Sequence, residues 1–169
     1  MTAREAALLI HLPQPATRQP QTWADLGSGS GLFSEALLRQ LPPQSQVYAI
    51  DRSTIPQPAP GIIPLQRDFL DFPWSLPPLH GILMANALHF VEQQETFLQQ
   101  AVRYILPGGQ FLFVEYDTDT PNPWVPYPLS LSTLQSRFRH LGLLPPQLLR
   151  TMPSKFGRAR LYAAVTAVG

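Results

Sequence analysis

Carboxylates stand directly behind short apolar runs at several places in this chain, where a strand would end and a ligand could be met. Asp25 precedes the glycines of "WADLGSGSGLFSEALL", Asp51 ends "QVYAID", Asp68 opens "DFLDFPW", and Glu115 and Asp117 end "QFLFVEYD". Gly27, Gly29 and Gly31 then suit three tasks. They allow a turn with positive φ, close approach of a ligand to bare backbone, and a helix that starts against the sheet. The helix start adds free N–H groups and partial positive charge for an anionic group. The spacing is G-x-G-x-G, which lacks the extra residue of the dinucleotide pattern G-x-G-x-x-G. No G-x-x-x-x-G-K-[ST] phosphate loop occurs. Asp25 and Asp51 also suit plain capping and turning, Phe69 also suits the core, and Asp71 competes with Asp68.

His89 follows the apolar run "HGILMANAL", where an imidazole could accept a proton from a substrate hydroxyl or amine. Glu115 and Asp117 are the other candidate bases, or contacts for a cationic or hydroxylated substrate, or solvated charges. Trp124 and Tyr127 lie in the proline-stiffened "TPNPWVPYP" and could wall a pocket or pack on their own domain. Arg158 and Arg160 precede the last apolar run and read as surface charge.

Composition removes other chemistries. No cysteine is present, which excludes disulfides, thiolate metal sites and a cysteine nucleophile. The four histidines show no HxxxH or HExxH spacing, so no metal is expected. Twelve basic and eleven acidic residues are spread without a basic block, so no nucleic-acid surface is expected. No apolar run approaches the roughly 20 residues of a membrane span. The N-terminal run is too short for a signal peptide, so a soluble cytoplasmic protein is expected.

The elements that must position these residues alternate. Helices are expected at 4–12, 31–41, 91–106 and 130–142, the third being the most regular. Strands are expected at 22–27, 46–51, within 61–69, at 80–88 and 110–117, with two more near 143–151 and 159–168. Pro64 makes the third strand an edge or irregular strand. Mostly unbroken apolar strands alternating with helices describe an α/β fold: a Rossmann-like, doubly wound, mostly parallel seven-stranded sheet with helices on both faces. Twenty prolines punctuate it. Connectors 52–60 and 71–78 are proline loops too cramped for ordinary helices, so one face should be poorer in helices. A single domain over 1–169 is expected: helix and linker 1–21, a ligand-binding half 22–117, and a substrate-side half 118–169.

Five segments in this order resemble the class I S-adenosylmethionine (SAM)-dependent methyltransferases: "ADLGSGSG", "VYAIDRS", "RDFLDFPW", "MANALHFV" and "LPGGQFLFVEYD". The resemblance implies SAM as cofactor and S-adenosylhomocysteine (SAH) as product. It implies a cofactor site of Asp25, Gly27, Ser28, Gly29, Gly31, Asp51, Arg52, Asp68, Phe69, Asn86 and Ala87. Asp51 would hold the ribose diol through charge-assisted bonds. Asp68 would meet the adenine amine with Phe69 beside the ring, and Asn86 would face the methionine end. Catalysis would fall to His89, Glu115 and Asp117, and the substrate would meet His89, Tyr116, Trp124 and Tyr127. "NPW" is like the [ND]PP[YFW] motif of amino-methylating nucleic-acid enzymes, but that motif belongs after the fourth strand, so it reads as a decoy.

The expected activity is in-line methyl transfer to an oxygen or nitrogen of a small molecule, in which the protein mainly aligns and desolvates. The chain is short for the family and its single N-terminal helix leaves the pocket open, so a homodimer or partner subunit closing it is also expected. The other readings are a non-catalytic SAM- or SAH-binding regulatory or assembly subunit, and a nicotinamide oxidoreductase, whose glycine spacing is absent.

Overall fold

The computed structural model describes residues 1–13, 18–155 and 159–169. Its helices are α1 (Ala3–Leu9), α2 (Leu32–Leu38), α3 (Gln94–Ala101) and α4 (Leu131–His140). Its strands are β1 (Thr22–Leu26), β2 (Gln46–Asp51), β3 (Ile62–Gln66), β4 (Leu79–Ala85), β5 (Ile105–Tyr116), β6 (Gln147–Pro153) and β7 (Arg160–Ala167). They form one seven-stranded sheet in the order β3-β2-β1-β4-β5-β7-β6. β7 runs antiparallel to both β5 and β6, and the other neighbours are parallel. β3 is an outer strand, which is where a strand can tolerate Pro64.

Local chemistry fixes the helix starts. Thr2 and Glu5 form a reciprocal capping box on α1, with Thr2 N–H donating to Glu5 Oε2 at 2.7 Å. Ser130 Oγ accepts Thr133 N–H at the start of α4, while Asp117 Oδ1 accepts Leu131 N–H at 3.0 Å. α2 starts at Gly31 in the left-handed region, φ 84°.

Apolar residues fill both faces of the sheet. On one face α1 and α2 bury Leu9, Ile10 and Leu37 against Trp23, Val47, Leu83 and Leu112. On the other, α3 and α4 bring Phe97, Leu98 and Phe138 onto Ile82, Met84, Phe111 and Phe113. Trp23 can lie across the sheet because its neighbour strand carries Gly81, where a Cβ would sit 2.4 Å from the indole.

Two expectations need correction. Each face keeps two helices; neither is singled out for loss. The connector after β2 lies on the α2 face, where Ile55 reaches Gly31 and Gly61 packs on Leu38. The connector after β3 lies on the opposite face as an aromatic plug. Phe72 stacks on Trp74 with ring centroids 4.5 Å apart, and Tyr104 accepts Trp74 N–H at 2.7 Å. The long helix expected over 91–106 also breaks early. α3 ends at Ala101, a 3-10 turn covers Val102–Tyr104, and Ile105 already pairs with Leu79 in the sheet. The next pair is Gly81 with Gln110, so 106–109 bulge out between them. Gly109 permits the fold-back, since a Cβ there would lie 2.4 Å from Ile105.

Candidate functional site

A cleft of about 330 Å³ opens at the carboxyl ends of β1, β2 and β4. In a doubly wound sheet this is the place for a ligand. Gly27, the first glycine of the loop, lines the cleft. Gly27 and Ser28 N–H both donate to Ile50 O, at 2.8 and 3.1 Å, which lashes the loop to β2. Gly27 has φ 76°, and a Cβ on it would lie 2.7 Å from Ala87 Cβ and 3.4 Å from the Phe69 ring. The residue must therefore be glycine for shape as well as for the turn. Gly29, φ 53°, has nothing within 4 Å of a built Cβ, so its backbone faces open space. Gly31 lets the chain pass Ile55 of the β2 connector, 2.7 Å from a built Cβ; the sheet surface expected there is not its neighbour.

The carboxylates take distinct positions. Asp51 lines the cleft, accepting Gly29 N–H at 2.9 Å and Ser53 N–H at 2.8 Å. Asp68 lines it too, accepting Arg52 Nε–H at 2.9 Å and Leu70 N–H at 2.9 Å. Burial pulls its pKa upward, but those donors and the Arg52 charge outweigh burial and hold the group below the ordinary range. Asp71 is exposed and stays outside the cleft lining. Phe69, Asn86 and Ala87 line the wall with Gly27 and Arg52, while Asp25, Ser28, Gly29 and Gly31 of the expected set are not part of the lining.

Asp25, expected in the cofactor site, does not line the cleft. It is fully buried, and its Oδ2 accepts Ser34 Oγ–H of α2 at 2.6 Å, with no bond to the loop backbone. Burial raises its pKa to about 7, against the Ser34 bond and with help from Asp51. Its Oδ1 has no protein partner. Ser28 Oγ and Asn86 Oδ1 share that condition, so three of the five such buried atoms among the described residues flank the glycine loop. Asn86 also holds φ 53°, a conformation uncommon outside glycine and concentrated in asparagine and aspartate.

The expected catalytic group separates from this cleft. His89 and Glu115 form a buried pair, Nδ1 to Oε2 2.6 Å, with side chains 3% and 1% exposed. Glu115 Oε1 also accepts His89 N–H at 3.2 Å. A base closed off in this way has no face open to a substrate, and the pair instead pins the 3-10 turn Leu88–Phe90. Asp117 is exposed and spent on capping α4. Trp124 is 79% exposed, and Tyr127 is tied by its N–H to His89 O at 3.0 Å. In "NPW", Asn122 Oδ1 accepts Trp124 N–H at 3.0 Å, which makes it a turn-former. Arg160 donates to Thr151 Oγ1 at 2.9 Å, and Arg158 lies outside the described residues.

A second cleft of about 400 Å³ adjoins the first and shares Asn86 with it. Tyr116 lines it, as do Leu32, Phe33, Met152 and Leu161; sequence reasoning placed Leu32 and Phe33 in a helix and Leu161 in a strand, and gave neither these nor Met152 a site role. Leu70 and Phe90 are the residues it missed on the first cleft.

The family model of the methyltransferase domain matches residues 24–113, more than half of the chain. The chain belongs to the methyltransferase-domain family. No curated protein matches this methyltransferase by sequence. Solved structures match it by fold. The Burkholderia thailandensis 1,6-didemethyltoxoflavin-N1-methyltransferase, holding its substrate and SAH, has a TM-score of 0.68 at 19% identity, over 96% of this chain and 77% of that one. The plantazolicin methyltransferase BpumL, in complex with SAH, gives 0.69 at 15% identity, over 95% and 81%. A Haloferax volcanii methyltransferase in complex with the Trm112 activator gives 0.64 at 16% identity, over 97% and 87%.

The residues of this methyltransferase fit a SAM-sized donor. Asn86 on the cleft wall carries an Oδ1 that no protein group engages, and the backbone at Gly29 faces open space. Among the described residues, no group of three or more His, Cys, Asp and Glu could hold a metal ion, and no helix is long and apolar enough to cross a membrane.

Proposed function

We propose that this methyltransferase moves the methyl group of SAM to an oxygen or nitrogen of a small molecule. The observation that carries the donor reading is the first cleft: a carboxylate on the open glycine loop, an Arg52–Asp68 pair at its far side, and Asn86, whose Oδ1 no protein group engages, on its wall. SAM supplies an already activated methyl on a sulfonium. In this reading Asp51 holds the ribose diol, Asp68 and Phe69 receive the adenine, Gly27 and Gly29 give backbone room, and Asn86 with Ala87 meets the methionine end. Ser28, Arg52 and Gly31 keep that frame in place, and Asp25 supports it from beneath through Ser34. His89 and Glu115 are assigned to holding the turn that carries Phe90 to the wall.

Two observations support a small acceptor. The charge is balanced at +1, with no basic block, and two fold neighbours are named for a toxoflavin precursor and for plantazolicin. A neighbour solved with an activator supports the idea that a partner subunit closes the open side. Isothermal titration with SAM, SAH and NAD tests the donor reading. Micromolar binding of the first two, with none of NAD, is expected; binding of NAD, or of none, would refute it.

A further inference from the structure

The second cleft is built by strand register. Tyr116 on β5 pairs with Leu161 on β7, and Leu161 pairs with Met152 on β6, so three successive strands place these side chains in one row. Leu32 and Phe33 from the first turn of α2 face them. The lining is mostly apolar, with Glu5, Asn86, Tyr116, Ser154 and Lys155 as its polar members, and the volume falls in the range of small-molecule sites.

Its titratable groups, among the described residues, are few. Met1 ahead of α1 contributes its amino group, α1 contributes Glu5, β5 contributes Tyr116, and the segment after β6 contributes Lys155. The end of β4, α2 and β7 contribute Asn86, Leu32, Phe33 and Leu161, which do not titrate. Glu5 is engaged, accepting Thr2 N–H at 2.7 Å and pairing with Lys155 at 3.4 Å. The Thr2 bond leads the causes that hold its carboxyl below the usual range, which makes it a weak base. Burial, then Glu115, pushes the Tyr116 phenol up, so it stays protonated. His89 and Glu115 are closed onto each other.

We infer that this second cleft is the acceptor site, and that it takes an apolar molecule presenting an atom already unprotonated: a carboxylate or a neutral ring nitrogen, and equally a thiolate, which extends the acceptor beyond the oxygen and nitrogen of the proposed function. The inference rests on SAM occupying the first cleft, and Asn86 at the junction of the two clefts gives the methyl its route. The acceptor lone pair forms a bond to the methyl carbon as the carbon–sulfur bond breaks. That electron pair stays on the cofactor sulfur, the sulfonium becomes a thioether, and no proton moves in the step. Alignment in an apolar cleft then suffices, because the donor is activated and the acceptor is already nucleophilic.

The test uses two probes of one shape, 2-naphthalenethiol and 2-naphthol. The thiol ionises at lower pH than the naphthol, as cysteine does relative to tyrosine. Calorimetry on the SAH-loaded protein should find both bound, and Met152→Trp, which fills the row, should weaken both by at least about tenfold while SAH affinity holds. With SAM, methylation of each probe by the wild-type protein should rise with pH through that probe's own pKa, and this readout stands whether or not the variant folds. A common inflection for both probes would reveal a protein base and overturn the inference. So would probes that do not bind, that bind M152W unchanged, or that bind and are never methylated. Failure of SAH itself to bind would instead strike the donor reading.

Discussion

Asp25→Asn probes the carboxyl that underlies the glycine loop. Asp25 is fully buried beside Ser34, and its pKa rises from 3.8 to about 7. The folded protein then binds the Asp25 proton more tightly than the unfolded chain. Stability from this group is complete below the unfolded pKa and is lost as pH climbs through the folded one. Between pH 5 and pH 8 the loss works out at about 2.6 kcal/mol by linkage. For a chain of this length that is a fall in Tm of about 5–10 °C. Asparagine keeps the acceptor for Ser34 and cannot ionise, so the variant should lack this component. It brings an N–H2 to a site where Oδ1 had no partner, which costs about 1–3 kcal/mol at every pH. Urea titrations of both proteins at pH 5, 6, 7 and 8 measure the difference, and other titrating groups cancel in it. The wild type should lose stability relative to D25N by about 2–3 kcal/mol as pH rises. A difference that stays flat, or that grows in the wild type's favour, would refute the buried-acid reasoning.

Asp51→Ala removes a charged acceptor from the first cleft; two charge-assisted bonds to a diol predict a rise of about two orders of magnitude in the SAH Kd, and an unchanged Kd by calorimetry would take Asp51 out of the site. Gly27→Ala should destabilise by about 2–5 kcal/mol in urea melts, because its Cβ meets Ala87 at 2.7 Å in a left-handed backbone. Gly29→Val meets no protein atom at its Cβ, so it should lower SAH affinity at least tenfold with a stability loss of only about 1–2 kcal/mol. His89→Ala leaves Glu115 buried without its 2.6 Å partner, which predicts a loss of about 3–5 kcal/mol by calorimetric melting. A stable variant that had lost only turnover would return His89 to catalysis.

Strand ends and the glycine loop were legible in the sequence because their signals are local. An apolar run, an aspartate and glycines at fixed spacing describe Asp51 and Gly29 without knowledge of anything distant. The helix over 91–106 misled because side-chain periodicity continues past Ala101, while the pairing of Ile105 with Leu79 is a contact across the fold. His89 misled in the same way. Its place after β4 suggested an open rim, and only the inward Glu115, twenty-six residues away, turns it into a buried pair. Tyr116, Leu161 and Met152 meet through the register of β5, β7 and β6, and the antiparallel insertion of β7 leaves no mark on any one segment. The even loss of helices from both faces was hidden for a related reason: prolines mark a loop but not the side on which it lies.

The connectors after β2 and β3 carry Pro56, Pro58 and Pro60, and Pro73, Pro77 and Pro78. A helix would hold those stretches by hydrogen bonds made on folding. Proline rings restrict φ in the unfolded chain as well, so less freedom remains to be surrendered, by about 0.4–1 kcal/mol at each compatible position. The side of the cleft that meets Asp68 and Phe69 is thus stiffened by covalent rings, and a ligand arriving there has little loop motion left to arrest.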